Sequence, residues 1–448
     1  MTAKKVGVIS LGCAKNLVDT EVMLGLLMKA GYEITAEASS AHILIVNTCG
    51  FIGDAKEESI NTLLEMAEYK NKGNCSILLA AGCLSQRYGE ELLKEIPELD
   101  GVVGTGCFDR LPEILAESLE GNRPVYIEQP RFLYDHTFPR VVSTSPHMAY
   151  VKIAEGCNHR CSFCIIPKLR GKYRSREPRS VVQEVEVLAW QGVKELNLIA
   201  QDTTGYGRDL GPGRANLPAL LRELAQIQGI NWIRVLYGYP GGISGDLIQI
   251  MSQEDKICNY LDIPLQHAHG EILKRMRRPF RKTKVQEQME QLRLKIPGIT
   301  LRSSFIVGFP GETEEHFEVL YSFLEEVRFD RVGIFRYSLE EGTTAALMGR
   351  QVSEEVKAER YQRLMELQKN ISLQKNRELL SSTLEVLMEG KVPKVKNLYV
   401  GRYRGQAPEV DGVVYVKSTS PLKAGEIVQV KISSVVAYDL QGNNVNND

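Results

Sequence analysis

Near-continuous apolar segments alternate with helical periodicity over the first quarter of the chain. The apolar segments lie at residues 5–11, 42–47, 76–81 and 101–104. After the first of them, Leu17, Leu24 and Leu27 recur at helical spacing, and Gly31 marks the end of that helix. Strands that are apolar on both faces and separated by helices are typical of a parallel sheet with covered faces. We therefore predict an α/β domain with a parallel sheet over residues 4–120.

The same alternation continues over residues 143–373. Six apolar segments predict strands at residues 149–154, 194–200, 231–236, 259–265, 300–307 and 331–337. Six consecutive βα units suit an open, partial (β/α)6 barrel, in which functional residues lie at the carboxyl ends of the strands. A charged amphipathic stretch from Ser353 to about Asn376 predicts a helix that connects this barrel to the rest of the chain.

Beyond that helix the apolar period changes to two. Short alternating segments at residues 384–388, 413–416 and 427–431 are separated by turns that contain Gly and Pro. Such strands predict a small antiparallel β-barrel, OB-like in type, over residues 375–441. The polar residues 442–448 are expected to form a frayed tail.

Composition and charge exclude several classes of protein. The chain has 448 residues, of which 43% are hydrophobic and 25% charged, so it is neither disordered nor a small disulfide-stapled protein. Its 55 basic and 56 acidic residues leave no global positive field, so any contact with RNA has to be local. We find no signal peptide and no apolar run long enough to span a bilayer, and we expect a cytoplasmic protein without a membrane partner.

Three of the nine cysteines form a compact motif directly after the first predicted barrel strand. Cys157, Cys161 and Cys164 follow the spacing Cys-x3-Cys-x2-Cys. Three thiolates on one loop can each bind one iron of a four-iron cluster and leave the fourth iron open to another ligand. The alternative is a zinc site with His159 as fourth ligand. It is less favoured because His159 lies between the first two cysteines, where it is poorly placed to complete a tetrahedron.

Three further cysteines occupy equivalent places in the amino-terminal domain. Cys13, Cys49 and Cys83 each follow a predicted parallel strand, and loops at the carboxyl edge of one sheet converge on a common crevice. They could hold a second cluster, again one ligand short, although buried core cysteines are the alternative for any one of them. Cys107 also follows a predicted strand and could be a fourth ligand. We interpret the two remaining cysteines, Cys75 and Cys258, as structural.

The motif Cys157-x3-Cys161-x-Phe163-Cys164 at the first strand of a partial barrel resembles the radical S-adenosylmethionine (SAM) superfamily. This resemblance implies a 4Fe-4S cluster whose open iron binds SAM, and cleavage of that SAM to a 5′-deoxyadenosyl radical. It also implies positions for the SAM contacts. The candidates are Phe163 near the adenine, Gln201 and Asp202 near the amino group, and Ser304 and Gly308 on the fifth strand and after it.

Two of these SAM contacts have open alternatives. Gly308 lies in Ile306-Val307-Gly308-Phe309-Pro310-Gly311-Glu312, where glycines let the backbone approach a ligand, but an ordinary Pro-Gly turn explains the stretch equally well. Ser304 shares one face of its strand with Arg302, and alternation alone does not say whether that face is the inner one. We assign no general base.

Residues 11–16, together with Asn47-Thr48-Cys49 and Gly82-Cys83, resemble the methylthiotransferase family of radical SAM enzymes. The match covers nearly the whole chain and preserves the domain order. It implies a methylthiotransferase amino-terminal domain (4–120) with a second 4Fe-4S cluster on Cys13, Cys49 and Cys83, a radical SAM core (143–373) and a TRAM domain (375–441). It further implies that SAM serves both as radical source and as methyl donor, and that an electron donor and a sulfur carrier take part.

Residues 14–19 and 407–412 are most similar to the branch of the family that modifies a ribosomal protein. That similarity implies methylthiolation of the β-carbon of an aspartate in small-subunit ribosomal protein twelve. The 10 Lys or Arg and 8 Asp or Glu from Lys375 to Asp448 favour a protein over transfer RNA as substrate, although RNA contact through the TRAM domain stays open. The alternatives are a transfer-RNA adenosine methylthiotransferase and a non-enzymatic iron–sulfur or zinc RNA-binding module.

A dense basic stretch follows the cysteine loop of the barrel. It contains Lys168, Arg170, Lys172, Arg174, Arg176 and Arg179. Charge runs of this kind usually form a solvated face. Its position beside the cysteines favours a guide for the SAM carboxylate, an acidic protein loop or ribosomal RNA.

Overall fold

In the computed structural model, which describes residues 4–211, 213–278 and 280–445, the amino-terminal domain is a six-stranded, fully parallel sheet covered by helices on both faces. Its elements are β1 (Lys5–Ser10), α1 (Ala14–Lys29), β2 (Glu33–Ile34), β3 (Ile43–Thr48), α2 (Gly53–Ala67), α3 (Tyr69–Lys72), β4 (Ile77–Gly82), α4 (Cys83–Tyr88), α5 (Glu90–Glu95), β5 (Gly101–Val103), α6 (Leu111–Leu119) and β6 (Val125–Tyr126). The strand order is β2-β1-β3-β4-β5-β6. The predicted parallel α/β fold is confirmed, with two short edge strands added.

The central region is an open parallel sheet whose six strands follow chain order. Its elements are β7 (Met148–Lys152), β8 (Ala154–Glu155), α7 (Ile166–Arg170), β9 (Arg174–Ser175), α8 (Pro178–Trp190), β10 (Glu195–Ile199), α9 (Leu217–Ala225), β11 (Trp232–Val235), α10 (Gly245–Gln253), β12 (Ile257–Asp262), α11 (Gly270–Arg275), α12 (Lys282–Lys295), β13 (Thr300–Val307), α13 (Glu314–Val327), β14 (Arg331–Arg336) and α14 (Glu354–Arg377). The order β7-β10-β11-β12-β13-β14 is that of a partial (β/α)6 barrel, as predicted. Between β7 and β10, β8 and β9 form a small separate ribbon.

The carboxyl-terminal region is a closed five-stranded barrel. Its strands are β15 (Thr383–Lys391), β16 (Leu398–Tyr403), β17 (Val414–Lys417), β18 (Ile427–Val435) and β19 (Leu440–Asn444). Four of the five pairings are antiparallel, but β17 and β19 run parallel, so the barrel is mixed rather than purely antiparallel. The predicted frayed tail is wrong for residues 442–444, which belong to β19, and residues 446–448 lie outside the described part of the chain.

The three regions share one apolar core on the inner side of the open barrel. Val18 and Val22 of α1 pack there with Tyr150 and Trp232 of the barrel strands and Leu387 of β15. Polar contacts add to this packing at the base of the barrel: Arg402 and Arg234 both pair with the buried Glu195. The amino-terminal and carboxyl-terminal domains are therefore held against the barrel by buried surface. No helix in the described ranges combines the length and apolarity needed to cross a bilayer.

Candidate active site between the two cysteine loops

The three amino-terminal cysteines follow three neighbouring strands of the first sheet. Cys13 lies at the start of α1, shortly after β1 ends, Cys49 directly follows β3, and Cys83 opens α4 immediately after β4. These strands are adjacent in the order β1-β3-β4 and parallel, so their carboxyl ends lie at one edge. The structure thus brings the predicted trio into one crevice at the end of the sheet.

Glycines allow the loops of this crevice to approach each other closely. A Cβ atom at Gly12 would lie 2.8 Å from the Cβ and 3.0 Å from the Sγ of Cys49. A Cβ at Gly82 would lie 2.3 Å from Oδ1 of Asn47, and one at Gly50 would lie 2.8 Å from the Cα of Leu84. These three positions flank the cysteines, so side chains there would push apart the loops that carry the thiols.

Replacing Gly12 by alanine is expected to displace Cys49 and to remove the metal-binding capacity of this crevice. The backbone φ of Gly12 is +85°, which adds strain to the steric conflict. Gly31→Ala is the matched control, because Gly31 has a φ of +89° but nothing within 4 Å of the added Cβ. It should cost about 1 kcal/mol of stability and leave iron binding intact. The iron content of each variant after anaerobic reconstitution is the measurement. Equal iron content in Gly12→Ala and Gly31→Ala would contradict the expectation.

Positive charge lies beside the amino-terminal thiols. Burial tends to raise the pKa of Cys13, but the charges of Lys15 and Arg170 lower it overall, which favours the thiolate that binds metal. Burial and the neighbouring Cys83 raise the pKa of Cys49 to about 12. Thiols held in the neutral form release protons when iron binds, so binding at this site is coupled to proton loss.

The remaining cysteines of the chain lie outside both trios. Cys107 is buried in the amino-terminal core beside Phe108 and Leu111, and the groups that act on its pKa are those of Asp109, Arg110 and Glu128 rather than any cysteine. The thiol of Cys75 donates to the carbonyl of Ile77 (3.2 Å), and Cys258 is buried inside the barrel. Their surroundings are those of structural residues.

The cysteine loop of the barrel is fixed by hydrogen bonds to several distant segments. Ser162 donates through its amide to the carbonyl of Met276 (3.1 Å) and through its hydroxyl to that of Arg275 (2.8 Å). The amide of Cys157 donates to the carbonyl of Gly171 (3.1 Å). Burial raises the pKa of Cys157 to about 11 and that of Cys164 to about 12. The loop therefore holds three half-buried thiols in a fixed arrangement.

The zinc alternative for this loop has no support in the contacts of His159. Its Nε2 lies 2.8 Å from Oδ2 of Asp202, and its ring stacks on Tyr239 with 3.7 Å between centroids. Across the described residues, no three His, Cys, Asp or Glu side chains are grouped closely enough to hold one metal ion. A tetrahedral zinc needs sulfurs about 3.8 Å apart, whereas the thiolates of a cubane bind separate irons. His159 is thus engaged elsewhere, and the assignment of both trios to four-iron clusters stays a prediction.

Arg278 is a residue of this site that the sequence did not reveal. It is 6% exposed, its Nη1 donates to Sγ of Cys161 (3.6 Å), and its guanidinium lies over the rings of Tyr239 and Phe280. Its polar contacts go to that sulfur and to the carbonyl of Pro264, and none of the ion pairs formed by the described residues includes it. It thus places a positive charge without an ion-pair partner beside the Cys161 thiol.

We expect Arg278→Met to lower the reduction potential of an iron–sulfur cluster on this loop. Positive charge and hydrogen bonds to sulfur stabilise the reduced, more negative state. A differential stabilisation of about 1 kcal/mol corresponds to roughly 40 mV for one electron, so the shift should be on the order of tens of millivolts. Potentiometric titration followed by electron paramagnetic resonance measures it. Arg277→Met, at an exposed neighbour, should leave the potential unchanged, and an unshifted potential in Arg278→Met would contradict the assignment.

Gln201 and Asp202 follow β10 beside the cysteine loop, and their contacts differ. Nε2 of Gln201 donates to Oε1 of Glu155 (2.6 Å), while its Oε1 is buried without a partner. An unpaired buried acceptor is suited to an ammonium group of a ligand. The carboxylate of Asp202 already binds His159, the hydroxyl of Thr204 and the amide of Gly205. Gln201 therefore fits the SAM amino group better than Asp202 does, and the role of each stays a prediction.

Ser304 lies on the inner face of the barrel. Leu301, Phe305 and Val307 point into the core beneath the helices, so Arg302 and Ser304 point to the other side. On that side Arg302 forms ion pairs with Asp262 of β12 (3.1 Å) and with Asp411 of the carboxyl-terminal domain (3.6 Å). The second of these ion pairs links the barrel to the carboxyl-terminal domain.

Gly308 and Phe163 have specific packing partners. A Cβ atom at Gly308 would lie 2.2 Å from Cγ of Lys357, so the glycine is explained by the packing of α14. Phe163 is half-buried against an apolar cluster that includes Phe309 and Tyr337. The contact of Ser304, Gly308 or Phe163 with SAM stays a prediction.

A buried network of charges connects the barrel to the amino-terminal cysteine crevice. Arg170, at the end of α7, contacts Asn16 and pairs with both Asp19 and Glu155, while Lys152 pairs with the same two carboxylates. Asn16 in turn accepts a weak hydrogen bond from the thiol of Cys83 (3.8 Å). Burial would raise the pKa of Glu155, but Lys152 and Arg170 hold it below its usual value. The network thus reaches from the barrel strands to the amino-terminal trio.

This network changes the interpretation of the basic stretch after the cysteine loop. Arg170 and Arg176 are 2% exposed and paired with buried carboxylates, Arg176 with Glu184. Only Lys168, Lys172 and Arg179 of the six are exposed. The expectation that the stretch guides a ligand is wrong for Arg170 and Arg176, because buried carboxylates of the protein neutralise their charges.

A second contact between the domains lies at the outer rim. The buried Glu340, in the loop after β14, pairs with Lys56 of α2 (2.8 Å) and Arg87 of α4 (2.7 Å). The amide of Gly53 donates to the hydroxyl of Ser338 in the same loop (3.2 Å). Contacts on both sides of the crevice therefore hold the two cysteine loops facing each other.

Matches to protein families and to solved structures identify the class of this protein. Residues 151–324 match the Radical SAM superfamily, residues 5–104 the uncharacterized protein family UPF0004, and residues 382–445 the TRAM domain. Among solved structures, the radical S-adenosylmethionine methyltransferase TsrM from Kitasatospora setae has a TM-score of 0.57 at 16% identity, with 75% of each chain covered. The cobalamin-dependent radical enzyme OxsB has a TM-score of 0.52 at 11% identity, covering 83% of this chain and 62% of that one. At such identities these two structures show the fold alone.

Full-length relatives give the family. The chain is 52% identical to the ribosomal protein uS12 methylthiotransferase RimO of Pelotomaculum thermopropionicum, over 98% of this chain and 99% of that one. The proteins of the same name from Pelobacter propionicus (52% identity, 98% and 97% covered) and Clostridioides difficile (48%, 98% and 98%) match similarly. The chain belongs to the family of ribosomal protein uS12 methylthiotransferases RimO.

Proposed function

We propose that this protein is a transferase that adds a methylthio group to the β-carbon of an aspartate in ribosomal protein uS12. The observation that carries the proposal is the pair of cysteine trios on facing loops, each one ligand short of a four-iron cluster, in a chain about half identical to RimO proteins over its whole length. One open iron would serve SAM and the other a sulfur donor. Such a pair suits a reaction that needs a radical and a sulfur atom together.

The ligands of the two clusters are proposed as two sets. Cys157, Cys161 and Cys164 hold the cluster that binds SAM, and Cys13, Cys49 and Cys83 hold the second cluster. When bound, the first cluster and SAM supply a carbon radical able to remove a hydrogen from an unactivated carbon, and the second cluster and a further SAM supply the methylated sulfur.

The side chains around the clusters position these groups. Gln201 offers its unpaired carbonyl oxygen to the amino group of SAM, while its amide is held by Glu155. Phe163 offers an apolar surface near the adenine. Arg278 places positive charge on a ligand of the first cluster, and Arg170 fixes the second crevice relative to the barrel. The side chains of the protein therefore orient the bound groups and set the charge around them.

The two other functions considered for the sequence are less well supported. A transfer-RNA adenosine methylthiotransferase is not favoured by the full-length relatives at 50–52% identity that carry the RimO name. A zinc module is opposed by the engaged His159.

The reaction also requires partners. We propose an electron donor, a sulfur carrier and the substrate protein, and we place the reaction in the cytoplasm, where ribosomes are found. RNA contact through the TRAM domain is part of the proposal: a groove of the small barrel is lined by Lys396 and Lys417, two positive charges that could lie on phosphates.

Mass spectrometry of a deletion strain tests the function. Ribosomal protein uS12 from that strain should lack the methylthio mass increment, and a plasmid copy of this chain should restore it. Transfer-RNA nucleosides from the same cells serve as control and should be unchanged. Loss of a methylthioadenosine with unchanged uS12 would overturn the proposal in favour of the RNA substrate.

Anaerobic reconstitution of the purified protein tests the cofactors. About eight irons per chain and release of 5′-deoxyadenosine are expected. Binding of zinc alone would support the non-enzymatic module instead.

A further inference from the structure

Lys15 is a buried cation that forms no ion pair with any described residue. It is 9% exposed, and its Nζ lies 3.2 Å from the centroid of the Tyr237 ring. The nearby buried cations Lys152 and Arg170 both pair with carboxylates. Of the ion pairs among described residues, none includes Lys15. Apart from the Cys13 thiol two residues before it and the hydroxyl of Tyr237, no acidic side chain of the described residues acts strongly on this charge. A charge withdrawn from water without a carboxylate partner is costly, so the position suits a ligand that supplies one.

The position of Lys15 is between the two cysteine trios. It lies two residues after Cys13, in the first turn of α1. Tyr237, its partner, follows β11 at the mouth of the barrel, and Tyr239, two residues further on, stacks on His159 of the other cysteine loop. The segment from Tyr237 to Tyr239 therefore spans the distance from Lys15 to the radical SAM loop.

We propose that Lys15 binds the side-chain carboxylate of the aspartate that is modified. This inference rests on the proposed function. A substrate aspartate whose β-carbon lies between the two clusters brings one negative charge into the crevice, directly beside that carbon. Lys15 is the buried cation of this crevice that no protein carboxylate neutralises. Arg278, the other such cation there, already donates to a cluster ligand and to the carbonyl of Pro264.

Lys15 thereby acts as a specificity-determining residue. An ion pair in a partly dehydrated crevice distinguishes aspartate from asparagine, which has nearly the same shape but no charge. The ring of Tyr237 holds the ammonium group in place before the substrate binds, since cations are attracted to an aromatic face. Gly12 is exposed at the rim of the crevice, so the crevice is open on a side from which a protein loop can enter.

A binding cycle tests this assignment on the holoenzyme with both clusters loaded. The ligands are two synthetic peptides with the sequence of the uS12 target loop, one with its natural aspartate and one with asparagine there. Wild type should bind the aspartate peptide at least about tenfold more tightly, and Lys15→Met should bind both peptides equally. Lys15→Arg should restore part of the preference. Lys29→Met, which removes an exposed lysine from the same helix, should retain it fully.

Other outcomes separate this inference from its rivals. If Lys15 only balances the charge of the second cluster, Lys15→Met will weaken both peptides alike or lose iron, and the preference for aspartate will survive. If Lys15 binds SAM instead, the dissociation constant of SAM will rise in Lys15→Met. Either result overturns the inference. Failure of wild type to bind or modify the aspartate peptide would instead count against the proposed function itself.

Discussion

Replacing Cys161 by alanine is expected to abolish SAM cleavage, whereas replacing Cys49 is expected to spare cleavage and to stop methylthio transfer. The two cysteines lie on different loops, Cys161 after β7 of the barrel and Cys49 after β3 of the first sheet. Loss of one thiolate from a three-ligand site leaves one iron without a protein ligand, so the cluster at that site should be lost and the other retained.

Three measurements on each variant test whether the two cysteine sites have separate roles. Iron per chain should fall from about eight to about four in both. Release of 5′-deoxyadenosine should fall to background in Cys161→Ala and persist in Cys49→Ala, and the methylthio mass increment on the peptide should be missing in both. Cys107→Ala is the matched control, because that thiol is buried in the core away from either trio. Equal loss of SAM cleavage in Cys161→Ala and Cys49→Ala would show that the two sites do not have separate roles.

Periodicity predicted the central strands of the two parallel sheets well, but it missed β16 (Leu398–Tyr403) of the small barrel. The segment 300–307 was predicted and is observed as Thr300–Val307, and the first predicted strand of the chain differs by one residue from Lys5–Ser10. β2 and β6, with two residues each, were missed because edge strands this short carry no period. β19 was missed because its residues are mostly polar: it is held by pairing with β17 and β18 on both sides, and Gly442 packs directly against Val430.

The residues of the candidate site were also only partly predictable from the sequence. The cysteines could be found because strand ends in a parallel sheet converge, an effect of topology that apolar runs already reveal. Arg278 and the role of Arg170 could not be found. Arg278 lies 117 residues from Cys161, with no motif around it. Arg170 lies in a basic run whose members look alike in sequence, and only the fold decides which of them are buried with a carboxylate.

Replacing Arg170 by leucine is expected to destabilise the protein by about 3–5 kcal/mol and to release the second cluster. The buried network holds two cations, Lys152 and Arg170, against two carboxylates, Asp19 and Glu155. Removing one cation leaves one buried negative charge uncompensated and takes a donor from Asn16. The same change also withdraws positive charge from Cys13 and Cys83, whose thiolate forms it favours.

The measurements for Arg170→Leu are the free energy of unfolding in urea and the iron content. About four irons per chain should remain, all on the barrel loop, because its hydrogen bonds to Met276 and Gly171 do not involve Arg170 side-chain atoms. Arg214→Leu, which breaks an exposed pair with Glu177, is the control and should cost no more than about 1 kcal/mol. Arg170→Lys should recover the charge balance but not the forked contacts to Asn16 and Asp19. Its free energy of unfolding and its iron content should therefore lie between those of wild type and Arg170→Leu. Full iron content in Arg170→Leu would mean that the second crevice forms without support from the barrel.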